Sequence, residues 1–147
     1  MIEIIATAID IERVYAAVED HGAGGVALFL GRVRDHADGH QVERMTYEGY
    51  ESMAEKQLLK LAANVKKRWP IQKIAMVHRL GELELGDISV AVAVASAHRS
   101  EAFEACRYAI DTLKETLPIW KREFGEDGES WVDGVVPRPL DPEEDVN

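Results

Sequence analysis

The chain contains a single cysteine, Cys106, among its 147 residues. That excludes an internal disulfide and any paired-thiol redox or zinc motif. No apolar run approaches the ~20 residues that a membrane helix needs. The opening stretch MIEIIATAID lacks a basic start and is interrupted by Glu3 and Asp10, so no signal peptide is expected. Positive charge is scarce, with 17 Lys and Arg against 27 Asp and Glu and a formal net charge of -10. Such a balance argues against nucleic-acid binding, which needs net basic surface to displace counterions, but it leaves room for one local cationic pocket. A glycine-rich phosphate loop of the Walker or Rossmann type is also missing, since GAGG at 22–25 follows a helical stretch instead of preceding one. What remains is 46% hydrophobic and 30% charged, an ordinary globular composition. Its length suffices for one domain with its own core. A soluble, cytoplasmic protein without metal or cofactor is the expectation.

Periodicity outlines the elements. Residues 2–8 read as a strand, and Asp10 is a suitable N-cap for a helix with Ile11, Val14, Tyr15 and Val18 on one stripe. GVALFLGRVR (25–34) is a strand that runs into the polar loop DHADGH, and QVERMTYEGY (41–50) alternates as a half-buried strand. SMAE, Ser52 to Glu55, fits a capping box that opens a second helix, closed by Pro70. IQKIAMVHRL and DISVAVAVAS are two strands joined by GELELGD, and the second, apolar on both faces, belongs at the sheet's centre. Ser100 is placed to cap a third helix with Phe103, Cys106, Ile110, Leu113 and Leu117 as its buried stripe, and Pro118 cannot continue it comfortably. The order β-α-β-β-α-β-β-α, followed by short strands, indicates an α+β fold with three main helices and a mainly antiparallel sheet. The proline-rich, acidic residues 135–147 are expected to form a tail.

Basic side chains gather at the boundaries of these elements. Arg32 and Arg34, two apart, share one face of a strand end. His98 and Arg99 stand where a strand meets the third helix, whose free amides favour an anion. Lys114 and Lys121 flank Pro118. Arginine offers bidentate phosphate geometry, and a desolvated lysine can become a nucleophile. The bland readings are solvated strand ends, a snorkelling Lys114 and a turn residue at Lys121. His36 and His40 have ligand-like spacing but no thiolate and only scattered carboxylates nearby. His78 and Arg79 lie on an alternating strand and are read as packing or pairing there. Cys106 is read as a small buried hydrophobe. Residue by residue, the sequence supports one α+β domain with an anion pocket.

Taken in order, FLGRVRDHADGHQV, YEGYESMAE, HRLGELELGD, ASAHRSEAFEA and LKETLPIWKREFGEDGESWV resemble the catalytic large subunit of molybdopterin synthase, from about Gly24 to Val132. The resemblance implies an α/β-hammerhead-like fold over residues 1–134 and a homodimer at the centre of a heterotetramer. It also implies a small ubiquitin-like sulfur-carrier subunit as partner. The reaction implied is transfer of sulfur from the carrier's C-terminal thiocarboxylate to cyclic pyranopterin monophosphate, forming the dithiolene of molybdopterin. Matching positions imply Lys114 and Lys121 as catalytic residues and Arg32, Val33, Arg34, His98, Arg99, Arg122 and Glu123 as substrate contacts, with Phe29 in a pocket wall. A non-catalytic scaffold of the same fold that binds a phosphorylated ligand is the competing reading. One departure concerns the tail: WVDGVVPRPL has Gly134 and Val135 where family members often carry a basic residue, with Arg138 only later.

Overall fold

The computed structural model describes residues 1–126 and 128–131. The tail expected at 135–147 lies outside the described residues. Strand β1 (Ile2–Ile5), helix α1 (Ile11–Ala16), β2 (Gly25–Arg32), the short pair β3 (His36–Ala37) and β4 (His40–Gln41), and β5 (Arg44–Gly49) come first. Helix α2 (Glu51–Arg68), β6 (Ile71–Arg79), β7 (Gly81–Glu84), β8 (Ile88–Ser96), α3 (Arg99–Thr116), β9 (Ile119–Gly125) and β10 (Gly128–Trp131) complete the described chain.

The strands form two four-stranded sheets where the sequence suggested one. The first has order β1-β6-β8-β2, antiparallel apart from the parallel β1–β6 pair. The second is antiparallel throughout, with order β10-β9-β5-β7. The split occurs at Gly81, whose φ of +96° turns the chain away from β6 and into β7. GELE is therefore a strand of the second sheet and more than a connection.

Strand β8 shows how the sequence builds the first sheet's core. Val90, Val92 and Val94 pack with α2 and α3, while Ala91, Ala93 and Ala95 lie under α1. The period-2 alternation separates the faces, and the small alanine side lets the short helix α1 sit close. On β6, Ile74 and Met76 share the valine face and Ala75 and Val77 share the alanine face. His78 has the same parity as Met76, so it continues the α2/α3 side to its end.

The helices follow their expected stripes with four corrections. Asp10 caps α1, its carboxylate accepting from the Glu12 and Arg13 amides, but Tyr15 is exposed and only Val14 and Val18 are buried from that stripe. Helix α2 begins at Glu51, before the proposed capping box, and its N-cap Tyr50 makes no side-chain cap bond. On α3 the N-cap is His98, and Ser100 Oγ instead donates to Glu104 at 3.4 Å. Phe103 is 67% exposed. The buried face of α3 is built from Ala102, Ala105, Cys106, Ala109, Ile110 and Leu113, because the helix lies so near β8 and β2 that alanines fill the contact. No helix among the described residues is long and apolar enough to cross a membrane.

Candidate functional site

A cleft of about 470 Å³ lies between the two sheets beside the C-terminal end of α3. Arg32 from the end of β2, Arg34 just beyond it, Lys114 from α3 and Lys121 from β9 all line it. Four cations thus converge in a chain whose formal charge is -10. Strand β2 keeps its ladder with β8 up to a register shift at Gly31/Arg32 and ends there, with Arg32 Nε donating to the Gly86 carbonyl at 3.2 Å. The two-residue spacing brings both arginines to the cleft, while Val33 between them is buried with Met45 and Leu83. A contact from Val33 to a ligand in the cleft is therefore left to its backbone.

Lys121 stands on a strand, contrary to its reading as a turn residue. Pro118 ends α3, and the chain reverses straight into β9, which pairs with β5 and β10. The reversal needs Gly49, because a Cβ there would sit 2.7 Å from the Pro118 carbonyl oxygen and 3.2 Å from Ile119 Cα. Alternation along β9 then aims Lys121 and Glu123 into the cleft and Arg122 to the other face. The Arg122 guanidinium pairs there with Glu48 at 3.5 Å and Glu129 at 2.6 Å, so its side chain is not part of the cleft.

Glu123 is nearly fully buried, and its carboxylate accepts from His40 Nε2 at 3.1 Å. His36 and Ala37 of the small β3–β4 hairpin also line the cleft. The two histidines do not assemble a metal site: His36 pairs with the neighbouring Asp35 at 2.7 Å. Among the described residues no cluster of three or more His, Cys, Asp or Glu is placed to hold a metal ion. Phe29 packs on the main core and lines a shallow apolar depression between β2 and α3 that Lys114 also borders. Cys106 is buried, and burial pushes its thiol up to about 11.

The structure separates two residues that sequence reasoning placed with the others. His98 and Arg99 begin α3, whereas Lys114 is near its end, ~22 Å away at 1.5 Å per residue. The Gly25 end of β2 lies against Arg99 and the Arg32 end at the cleft, so the sheet confirms the separation. Within one chain, His98 and Arg99 do not reach the cleft.

Three polar residues of the cleft floor carried no signal of function in the sequence. His78 is 7% exposed and donates from Nδ1 to the Arg79 carbonyl at 2.9 Å. Its ring meets Tyr47 edge-on at 5.1 Å. Desolvation, with Lys114 as a lesser cause, lowers its pKa to about 4, so the imidazole is neutral at pH 7. Tyr47 bonds to Ser89, and burial raises its hydroxyl above the ordinary range, with nearby Glu123 adding to the effect. Parity with Met76 is the signal that could have placed His78 beside α3.

Comparison with known proteins is consistent in direction. The family model described as "MoaE protein" matches residues 4–116. A molybdopterin synthase catalytic subunit from Halalkalibacterium halodurans is 43% identical over 129 residues, 88% of this chain and 83% of that protein. The crystal structure of molybdopterin synthase from Staphylococcus aureus superposes with a TM-score of 0.85 at 39% identity, covering 89% of this chain and 96% of that one. A complex of subunits 1 and 2 of molybdopterin-converting factor from Helicobacter pylori shares the fold, with a TM-score of 0.72 at 22% identity over 89% of each chain.

Proposed function

The chain belongs to the MoaE protein family, and on that premise we propose that it is the catalytic subunit of a molybdopterin synthase. It transfers sulfur from the C-terminal thiocarboxylate of a small ubiquitin-like carrier to cyclic pyranopterin monophosphate. The observation that carries this reading is the meeting of Lys114 and Lys121 with Arg32 and Arg34 around one cleft. The substrate's cyclic phosphate and the donor's thiocarboxylate are both anions, and bringing them together in water-poor surroundings requires fixed positive charge. The arginines hold the phosphate by paired N–H contacts. Lys114 engages the donor's terminal carbonyl, and Lys121 stabilises charge or moves a proton as sulfur adds. An extended carrier tail entering the cleft supplies the sulfur, in keeping with a chain whose one thiol is buried. No resident metal or cofactor is called for by this scheme.

His98 and Arg99 enter through a second copy. Strand β2 is an edge of the first sheet, with Val26 and Leu28 about 40% exposed and Phe103 projecting beside it from α3. Two chains packed across this apolar edge about a two-fold axis run their α3 helices antiparallel. The Arg99 end of one helix then meets the Lys114 end of the other. Each cleft of the homodimer is completed by its neighbour, and a carrier subunit at each outer end makes a heterotetramer.

The test combines the purified chain with thiocarboxylated carrier and the pterin precursor and measures dithiolene formation. Turnover is expected. Binding of the precursor without turnover supports the scaffold reading instead, and retention of both lysines, which a phosphate-binding scaffold does not need, favours the enzyme.

A further inference from the structure

The cleft is rich in donors and poor in acceptors. Arg32, Arg34, Lys114 and Lys121 only donate. Among the acceptors, Oε2 of the buried Glu123 carboxylate is engaged by His40. Ser89 Oγ donates to the Gly31 carbonyl at 3.3 Å and bonds to Tyr47. Such a lining fits a phosphate well, yet the substrate proposed above also carries a nitrogen heterocycle with ring and exocyclic N–H groups. Those donors need an acceptor when they leave water, since a buried unpaired donor is costly.

His78 supplies it. The Arg79 carbonyl can only accept, so the proton of the neutral ring resides on Nδ1 and the lone pair on Nε2. The ring is anchored by that bond on one side and by the Tyr47 edge contact on the other. It lines the cleft beside Ser89 and Val90 of β8, with Lys114 of α3 and Lys121 and Glu123 of β9 on the surrounding walls. We infer that His78 is the residue that recognises the heterocycle of the substrate, its Nε2 accepting an N–H from the ring system while the arginines and lysines hold the phosphate. This inference rests on the function proposed above. Burial together with the nearby Lys114 charge keeps the imidazole unprotonated, and only in that state can Nε2 accept.

Two measurements test it on the full chain. Nitrogen-15 spectra of the histidine-labelled protein at pH 7, without ligand, are expected to show His78 protonated on Nδ1 alone. Protonation on Nε2 overturns the inference and leaves the proposed function standing. Calorimetry with the pterin precursor and, separately, with inorganic phosphate gives the second result. His78→Phe is expected to lose about tenfold in affinity for the precursor, the worth of one buried hydrogen bond, with phosphate binding unchanged. His78→Gln, which keeps an acceptor, is expected to recover part of that loss and serves in its place should the phenylalanine variant fold poorly. Wild-type affinity for the precursor in both variants, or an equal loss for phosphate, overturns the inference. Absence of precursor binding by the unmodified chain overturns the proposed function and this inference with it.

Discussion

Tyr47 and Lys121 are direct cross-strand partners in the β5–β9 ladder, and both side chains line the cleft. The pairing fixes where the Lys121 ammonium stands relative to the floor made by Tyr47, Ser89 and His78. Lys114 reaches the same space from a different element, across a proline. Two lysines separated by a break in helical structure are thus brought together by a strand that begins at the next residue after that proline.

Lys114→Ala is expected to nearly abolish dithiolene formation while carrier binding persists, and Lys121→Ala to be severely impaired. Lys114→Arg is expected to restore little, because guanidinium keeps its proton and cannot act as a nucleophile near neutral pH. Single-turnover assays beside carrier-binding titrations separate the two effects. Full activity in both alanine variants would remove the chemical centre of the assignment.

Loss of Arg34 is a binding defect in this scheme. Arg34→Ala is expected to weaken precursor affinity by roughly 1.5–3 kcal/mol, on the order of ten- to a hundredfold, with an unchanged melting temperature. Calorimetry reads the affinity, and thermal unfolding shows whether the fold is intact.

Arg99→Ala carries a sharper test, because in the proposed dimer the residue completes a neighbour's cleft. Mixed with the Lys114→Ala chain under conditions of subunit exchange, it is expected to regain activity. Random pairing makes half of the dimers mixed, each with one intact site of two, so recovery of about a quarter of wild-type activity is the ceiling. An inactive mixture whose dimers have demonstrably exchanged would show that both residues serve the same chain's cleft.

Stability should depend on pH through His78. Its folded pKa, about 4, lies below the ordinary histidine value of 6.5, so between those limits the unfolded chain binds the extra proton. Stability therefore falls as pH drops from about 6.5 towards about 4, by a contribution on the order of 3 kcal/mol. Urea titrations across that range are expected to show a shallower decline in His78→Gln. Equal slopes would mean the imidazole is accessible to protons in the folded state.

Gly49→Ala is expected to lower stability and activity together. The added methyl meets backbone, the Pro118 carbonyl, so relief must come from moving the α3–β9 turn and Lys121 with it. Chemical denaturation and the turnover assay measure the two consequences. Full activity in the variant would show that the turn yields without displacing Lys121.

Much of this could be read in the sequence where local pattern and tertiary role agree. The Val-Ala alternation of β8 announces a strand covered on both faces, and the structure has it paired on both sides with helices above and below. Strand β9 was harder, because WKRE has weak strand character and is held by ladders to β5 and β10 on both sides. Phe103 misled because hydrophobicity suggests burial, whereas α3 approaches the sheet through alanines. Basic residues at element boundaries identified the cleft's cations. Which boundaries lie at the same end of the molecule is a matter of chain direction, and there His98 and Arg99 parted from Lys114. For His78 the local pattern gives only its side of the sheet, since its environment is made by residues distant in sequence.

Helix α3 has a second role as a ruler. Arg99 is its first residue and Lys114 stands two before its last, Thr116, so in the proposed two-fold dimer its length sets the gap between two sites and the phase of each contribution. Single substitutions along its outer face leave that distance intact. An inserted residue does not: it rotates one end by ~100° against the other and lengthens the rod by ~1.5 Å. The helix can therefore vary in composition far more freely than in residue count, and a deletion remote from either cleft would misalign both at once.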